Sequence, residues 1–342
     1  MKKIFVFVMS ATLLAACDNP LEYKPENRAD ELIVNALLDA SESSHFVHLA
    51  VSSTEYVREV RDAELRCYVN GELKAKTSEF ENIEMYGGTV GAGMRFDASF
   101  KAGDLVRIEV DAEGKFFASN EQVVPEPLKI NKIDTVRVKN DVYRVNVNIT
   151  DVNGGEEDFY RLQMENLLEE DVYNDDKYLC HVSGQNECSL DTDNDPVLSE
   201  GHIGNDDTLF ELGGNNYYGI FGDALFNGES VTLHPEVSLW LNSWLYPYDL
   251  EEEFNRVTVT YSLRVKVMHL SKRNYYYLKA LNSLRDGSTD LALEDVQIPD
   301  NVEGGIGFVG ISNSASRVFR LKNAVYNDLH LYDDGAYPYY DE

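Results

Sequence analysis

Alternation of apolar and polar residues is the main pattern along this chain. In YRVNVNITD, which begins at Tyr143, every second residue is apolar, and the same period runs through NRVTVTYSLRVKVMHL from Asn255. Successive side chains of a β-strand point to opposite faces, so this period predicts strands with one buried face. Dipeptides typical of hairpin turns occur at Asn70-Gly71, Glu113-Gly114 and Asn227-Gly228. The pattern predicts a mainly β, antiparallel architecture.

The strand patterns divide into two predicted units. Short strands separated by turn residues within 31–124 favour an N-terminal immunoglobulin-like β-sandwich. Pro125 and Pro127 follow, and we place the boundary there because proline has no backbone N–H to donate to a strand ladder. The longer strands of residues 125–342 predict a larger antiparallel β-sandwich or barrel domain.

One packed helix is predicted within the second unit, in LSKRNYYYLKALNSLRDG. Ser271 is a suitable N-cap, and Gly287 ends the helix shortly after its last apolar residue. A shared face is expected to pack on the sheet. That face carries Tyr275, Leu278 and either Leu281 or Leu284.

The beginning of the chain is typical of an exported lipoprotein. Two lysines precede an apolar run over residues 4–16, which is shorter than the roughly 20 residues of a spanning helix. We therefore predict a signal peptide over residues 1–16. Cys17 follows Leu-Ala-Ala, which matches the bacterial lipobox, so we expect its acylation, for example by palmitate. The polar residues 17–30 are then a lipidated tether.

Charge excludes several classes of partner. The chain has 60 acidic and 30 basic residues, a net charge of -30, and loss of the two signal lysines gives -30 - 2 = -32. Such a field repels phosphate backbones and anionic headgroups, so we expect no nucleic acid partner and no peripheral lipid binding. Solubility beside an anionic cell surface is a sufficient explanation of the charge.

The three cysteines after Cys17 have different predicted roles. Cys180 and Cys188 bracket HVSGQNE, taken as a short polar loop, and an exported compartment permits disulfides, so we expect these two to pair. Cys67 has apolar neighbours at alternate positions in ELRCYVNGEL. It is predicted to be a buried thiol on the inward face of a strand.

Two motifs resemble known sites without their usual context. GGIGFVG places Gly305, Gly307 and Gly310 in a dinucleotide-binding spacing, but no helix pattern follows, so close backbone approach or a bulge is the expected role.

DTDND places Asp191, Asp193 and Asp195 at alternate positions, as at the start of a calcium loop. Pro196 and His202 replace the glycine and glutamate that such a loop requires. A solvated acidic loop is therefore the default interpretation, and we expect no cofactor, with calcium bound by this loop as the alternative.

Catalytic templates such as His-Glu-x-x-His and Gly-x-Ser-x-Gly are absent from the sequence, so we predict that the protein is not an enzyme. Aromatic clusters near glycine, asparagine and proline are the candidate ligand-binding positions, since exposed aromatic rings stack on ligands. These residues are Tyr217, Tyr218, Trp240, Trp244 and Tyr246. Trp240 and Trp244 share strand parity, so burial of both in the core is an equal alternative.

Several segments together resemble the Bacteroidota outer-membrane lipoprotein family called domain-of-unknown-function 4249. They are ELIVNALL, PEPLKINKID, DVNGGEEDFYRL, FGDALFNGESVTL, HLSKRNYYYLKAL and NVEGGIGFVGISNSA, in that order after the lipobox. The resemblance implies an outer-membrane lipoprotein that is an accessory of a TonB-dependent transporter, and it brings no catalytic residues. The acidic residues after Cys17 resemble the surface-export signal of Bacteroidota lipoproteins, whereas in enteric bacteria Asp18 would favour the inner membrane. This chain departs from the family pattern in its cysteine pair and in an acidic insertion between Leu167 and Thr208.

Three functional hypotheses follow. The first is a non-catalytic, lipid-anchored outer-membrane surface protein that binds a nutrient ligand or docks on a TonB-dependent transporter. The alternative is a calcium-dependent structural or adhesive envelope protein. The third, a hydrolase, requires two carboxylates that converge in a concave pocket of the second unit.

Overall fold

The computed structural model describes residues 30–53, 56–60, 62–85, 89–139, 142–201, 216–239, 254–285 and 298–327. Within these residues the protein is mainly β with sandwich-like packing, as predicted. The strands before the predicted boundary are β1 (Glu31–Asp39), β2 (Ser44–Ser52), β3 (Val57–Glu59), β4 (Ala63–Val69), β5 (Glu72–Thr77), β6 (Phe80–Met85), β7 (Thr89–Asp97), β8 (Leu105–Ala112) and β9 (Phe116–Val123).

The later elements include the longest strands. The strands are β10 (Lys129–Lys139), β11 (Val142–Thr150), β12 (Phe159–Asn174), β13 (Lys177–Glu187), β14 (Leu190–Asp191), β15 (Ile220–Gly222), β16 (Ser230–Leu233), β17 (Glu236–Ser238), β18 (Arg256–Leu270) and β19 (Val309–Asn327). The described helices are a 3-10 helix, Leu198–Gly201, and α1, Lys272–Arg285.

A long sheet extends through both predicted units. Its strand order is β13-β12-β18-β19-β1-β2-β7-β6, with β15 also paired to β12 and β3 to β2. A second sheet, β5-β4-β8-β9, packs over β1, β2 and β7 of the long sheet. A third sheet, β10-β11-β17-β14 with β16 paired to β11, packs over β12 and β18. Two cores therefore lie on one continuous sheet.

The first core lies between β1, β2 and β7 on one side and β4, β8 and β9 on the other. Alternate residues of these strands are buried, and each large apolar side chain removed from water contributes roughly 1.5–3 kcal/mol. Cys67 is among the fully buried residues, which confirms its predicted place, and burial raises the pKa of its thiol to about 12. The first unit is thus a β-sandwich.

The second core uses one face of β12 and β18. Tyr160, Leu162 and Met164 of β12 pack with residues of β18 and of the third sheet. On the opposite face, Phe159 and neighbouring residues of β18 pack against α1. Because successive side chains of β12 point to opposite faces, one face packs in the sandwich core and the other packs against α1.

Helix α1 begins as predicted. The Asn274 amide donates to Ser271 Oγ at 3.2 Å, which is an N-cap hydrogen bond. Tyr275 and Leu278 are buried, Leu281 packs at the edge of their cluster, and Leu284 is exposed. Gly287 lies outside the described residues, among which no helix has the length and apolarity needed to cross a membrane.

A parallel pairing joins the first and last described strands, in contrast to the antiparallel pairing expected from the sequence. Residues Ala36 to Asp39 of β1 pair with Val309 to Ser312 of β19, and Ile33 forms a bridge with Ile306. Val302, Val309 and Ile311 pack in the first core, although the predicted division assigns them to the second unit. We call this pairing the β1–β19 seam.

The seam explains the glycine-rich motif. A Cβ at Gly305 or Gly307 would overlap the carbonyl oxygens of Leu32 and Val34, and Gly307 has a φ of +117°. Close backbone approach, one of the two roles expected for these glycines, is confirmed, and the element that follows is strand β19 rather than a helix.

Two sequence predictions are wrong. The turn at Asn227-Gly228 is not a hairpin, because it leads from β15, which pairs with β12, to β16, which pairs with β11 in another sheet. Cys180 and Cys188 are free thiols. HVSGQNE is part of the extended strand β13. Eight residues of extended chain place the Cα atoms of Cys180 and Cys188 about 26 Å apart. The Cα atoms of two cysteines joined by a disulfide lie within about 7 Å of each other.

Substitution of Gly307 tests the seam. We expect Gly307→Ala to lower the free energy of unfolding by about 2–4 kcal/mol, because the methyl group adds overlap with β1 to an unfavourable φ. Gly114→Ala is the matched control, with a φ of +64° and no atom within 4 Å of the added carbon, and should cost about 1 kcal/mol. Urea unfolding followed by circular dichroism measures both, and equal losses would contradict the close approach.

Candidate functional site

Three buried aspartates come together at the ends of three strands. Asp151 directly follows β11, Asp158 directly precedes β12, and Asp223 directly follows β15. One carboxylate oxygen of each lies within 4.8 Å of those of the other two. We call these residues the aspartate cluster. The relative exposures of Asp151, Asp158 and Asp223 are 8%, 6% and 1%.

Hydrogen bonds hold two of these carboxylates in place. The Tyr160 hydroxyl donates to Asp151 Oδ1 at 2.5 Å, and the Gly228 amide donates to Asp151 Oδ2 at 2.7 Å. The Asn153 amide donates to Asp158 Oδ2 at 3.0 Å. Burial and the bond to Asp151 both raise the pKa of Tyr160, so its hydroxyl remains a donor.

His269 contacts the cluster from β18. Its Nδ1 donates to the Glu126 carbonyl at 2.8 Å, and its Nε2 lies 3.2 Å from Asp158 Oδ1. The Glu126 carbonyl can only accept, so Nδ1 carries the proton of that contact, and Nε2 faces the Asp158 carboxyl group.

Asp223 differs from the other two aspartates. Its Oδ2 atom is buried and has no hydrogen-bond partner among the described residues. Burial raises the pKa of Asp223, and the charges of Asp151 and Asp158 raise it further, against backbone hydrogen bonds that lower it. An unsatisfied, buried carboxylate oxygen costs on the order of 1–3 kcal/mol or more, so this atom requires an explanation.

The two loops that carry the aspartates are tied together. Asn227 Oδ1 accepts from the Gly155 amide at 2.6 Å, and Asn227 Nδ2 donates to the Glu156 carbonyl at 2.7 Å. A Cβ at Gly154 would lie 3.0 Å from the Cα of Gly228. Both segments belong to the stretches that carry the family resemblance, but no site residue was predicted in them. Their only local signal was an aspartate at the end of each strand pattern.

A pocket of about 150 Å³ lies on the other face of β12 and β18, beside α1. We call it the helix-side pocket. Its walls combine apolar side chains with charged and amide groups. They are Leu37, Asp39, Arg161, Gln163, Lys266, Met268, Leu270, Asn274, Leu278 and Ser312. Asn274 Oδ1 is buried without a hydrogen-bond partner among the described residues.

Arg161 is the most constrained cation of the pocket. Its Nε donates to the Tyr218 carbonyl at 3.0 Å, and its Nη2 donates to Glu187 Oε1 at 3.2 Å. Nη1 donates to none of the described residues. Burial lowers the pKa of Arg161, but a guanidinium remains charged in proteins.

The second cation, Lys266, is paired. Its Nζ lies 2.6 Å from Asp39 Oδ2 and 3.1 Å from Glu42 Oε1. Burial acts to raise the pKa of Asp39, but the hydrogen bonds and charge of Lys266, with bonds from Ser314 and Ser41, outweigh it and lower that pKa. This pair links β1 to β18 across the seam.

The predicted ligand-binding residues have different places. The Tyr218 ring is half-buried, lies 5.7 Å from the Arg161 guanidinium carbon and packs beside α1, so it supports the pocket wall. Tyr217 is partly exposed, and the Arg285 guanidinium carbon lies 4.5 Å from its ring centroid. Trp240, Trp244, Tyr246 and Cys17 lie outside the described residues.

The structure does not gather the predicted calcium ligands. Asp195 is buried, and its carboxylate accepts the amides of Val197, Leu198 and His234, so it caps the 3-10 helix. Asp191 and Asp193 are exposed. Among the described residues, the group with ligand spacing is the aspartate cluster instead. The alternate spacing of DTDND misled because one of its carboxylates satisfies backbone amides.

Comparison with known families gives one result. The family described as Domain of unknown function (DUF4249) matches residues 18–318, so the chain belongs to this family. A search of curated proteins found no match.

The Asp39–Lys266 pair predicts a pH dependence. The pKa of Asp39 is lowered in the folded state, so its stabilisation is present above the unfolded value of about 4 and is lost as pH falls through the folded value. We expect Asp39→Asn to cost about 2–4 kcal/mol at neutral pH and progressively less below about pH 4. Urea unfolding at several pH values measures this difference. Glu72→Gln, at an exposed ion pair, is the control and should change stability by less than about 0.5 kcal/mol. A difference for Asp39→Asn that does not shrink at low pH would contradict the interpretation.

Proposed function

We propose that this member of the DUF4249 family is a non-catalytic, lipid-anchored surface protein of the outer membrane that binds a small anionic nutrient in the helix-side pocket. One observation carries the proposal: an arginine whose side chain is 13% exposed lines the pocket, and one of its nitrogens, Nη1, donates to none of the described residues. A largely buried cation with an available donor favours an anionic ligand.

The pocket walls suit a small carboxylate. A guanidinium matches the two oxygens of a carboxylate in one plane, and the Tyr218 and Glu187 contacts hold Arg161 in position before a ligand arrives. Leu270 and Leu278 provide an apolar wall for a short hydrocarbon portion. A cavity of about 150 Å³ accommodates a molecule of roughly the size of benzene.

Binding rather than hydrolysis fits the carboxylates of the second unit. Asp39 is the one carboxylate that lines the helix-side pocket, and it is paired with Lys266. The aspartate cluster contacts Tyr160 and His269, whose side chains belong to the opposite face of β12 and β18 from the pocket residues. A pair of carboxylates facing a shared substrate, as a glycosidase requires, is therefore not supported by the pocket.

The lipid anchor would keep the ligand-binding units at the membrane surface. Acyl chains on Cys17 would hold the folded β units at the membrane surface, because each buried methylene contributes about 0.8 kcal/mol. A ligand held there lies close to outer-membrane transporters, and a TonB-dependent transporter is the partner we propose. The second candidate function, a calcium-dependent structural or adhesive envelope protein, is favoured by the aspartate cluster.

Ligand binding is testable with Arg161→Gln. We expect a panel of small monocarboxylates to include compounds that raise the melting temperature of the native protein, with binding weakened at least about tenfold in the variant through loss of the charged hydrogen bonds. Calorimetric titration gives the affinities. Arg264→Gln is the matched control, since Arg264 lies on β18 and pairs with Glu165 at 2.6 Å outside the pocket. Equal binding by both variants would count against the pocket.

The anchor is testable with Cys17→Ser. We expect this change to release the protein from the membrane fraction, because serine in this position does not receive the thioether-linked lipid. Cell fractionation and mass spectrometry of the mature N-terminus make the measurement. Cys67→Ser is the comparison that keeps the lipobox. A Cys17→Ser protein that stays with the outer membrane would contradict lipid anchoring. Co-purification of the native protein with a transporter, with no rise in melting temperature from any carboxylate, would favour docking without ligand binding.

A further inference from the structure

We propose that the aspartate cluster binds one calcium ion, held by Asp151, Asp158 and Asp223. The site is independent of the helix-side pocket and lies outside the stretch that the sequence suggested for calcium. Three features of the described residues carry the proposal: the spacing of the carboxylates, their burial, and the unpartnered oxygen of Asp223.

The spacing suits a calcium ion. Calcium binds six to eight oxygens at about 2.3–2.6 Å, so oxygens on opposite sides of one ion are separated by at most roughly 5 Å. The three carboxylate oxygens lie within 4.8 Å of one another. Three carboxylates supply three to six of the ligands, and water or backbone carbonyls supply the others.

The burial of the cluster favours a bound cation. Three carboxyl groups lie together in a buried site. Buried carboxylates are strongly unfavourable unless they are paired or coordinate a metal. A divalent cation would provide that partner.

The unpartnered Oδ2 of Asp223 is the second, independent observation. Asp151 and Asp158 use both of their oxygens in contacts with Tyr160, Gly228, Asn153 and His269. Each of these carboxylates still has lone pairs for a metal, because an ionised carboxylate offers about four acceptor sites. Asp223 is 1% exposed, and its Oδ2 accepts no hydrogen bond from the described residues. A coordinated cation would satisfy this atom.

The donor set favours a hard cation. All three candidate ligands are carboxylates, and both nitrogens of His269 already face acceptors, so zinc, which prefers nitrogen and sulfur, is a poor match. Magnesium demands near-ideal octahedral geometry and keeps several waters, whereas calcium accepts irregular oxygen sites. The irregular loop positions of the cluster therefore favour calcium.

Calcium would fasten two loops to the second core. Asp151 and Asp158 bracket one loop, and Asp223 begins the turn whose Asn227 contacts that loop. Tyr160 connects the site directly to the core residues Phe221 and Phe226. Loading the site should therefore stabilise the second core as a whole.

The experiment uses the full-length protein purified in mild detergent and freed of divalent cations with a chelator. Calorimetric titration with calcium chloride should give one ion per chain, and calcium should raise the melting temperature. Magnesium at the same concentration should give a smaller shift. Terbium should replace calcium and show luminescence on tyrosine excitation, because Tyr160 contacts a ligand carboxylate. Loss of most of that emission in Tyr160→Phe would place the ion at this site.

Asp223→Asn is the decisive variant. It keeps the side-chain size and removes the unpartnered charge, so the calcium-free variant should fold at least as well as the native protein. Its calcium affinity should fall at least about 10–100-fold. Asp193→Asn is the matched control from the stretch that the sequence suggested, and it should bind calcium normally.

Several outcomes would overturn the proposal. One is that the native protein takes up no calcium at concentrations up to about 10 mM, beyond the range of weak extracellular sites, or that it prefers magnesium. Another is that the calcium affinity is unchanged in Asp223→Asn, or that calcium binding is lost in Asp193→Asn. Each of these results contradicts a calcium site at the aspartate cluster. Should Asp223→Asn fail to fold, the terbium emission of native and Tyr160→Phe proteins decides. Neither measurement depends on the small carboxylate or on Arg161, so this result and the ligand result fail separately.

Discussion

The rest of the structure depends on the β1–β19 seam. Four residue pairs from Ala36–Val309 to Asp39–Ser312 join the first described strand to the last described one in parallel. Without them the long sheet would divide, because the β1–β19 pairing joins β13-β12-β18-β19 to β1-β2-β7-β6. The glycines that allow this approach and the buried Asp39–Lys266 pair act on the same junction, sterically and electrostatically.

The two candidate sites lie on opposite faces of the same strands. Along β12, Tyr160 contacts the aspartate cluster and its neighbour Arg161 lines the helix-side pocket. On β18, His269 contacts the aspartate cluster and its neighbour Met268 lines the helix-side pocket. Because adjacent residues of a strand face opposite ways, a one-residue change of register would remove both sites together. The paired ladder of β12 and β18 therefore positions both chemistries.

Local patterns could be predicted from the sequence, but long-range pairing could not. Alternation identified β11 and β18, and the N-cap at Ser271 identified the start of α1, because these depend on neighbouring residues. Alternation assigns faces rather than partners, so the parallel pairing of β1 with a strand about 270 residues away left no local signal. The aspartate cluster could not be predicted for the same reason, because Asp151 and Asp223 are remote in sequence. With 60 acidic residues in the chain, no three of them stand out as a site. The cysteine prediction failed because polar HVSGQNE is an edge strand whose composition resembles a loop.

The seam also constrains the order of assembly. Val302, Val309 and Ile311 complete the hydrophobic core of the first sandwich, so a nascent polypeptide that has reached only residue 124 lacks three of the apolar side chains that core requires. The first sandwich must wait for nearly two hundred further residues before it can close, with the edge of β1 open meanwhile.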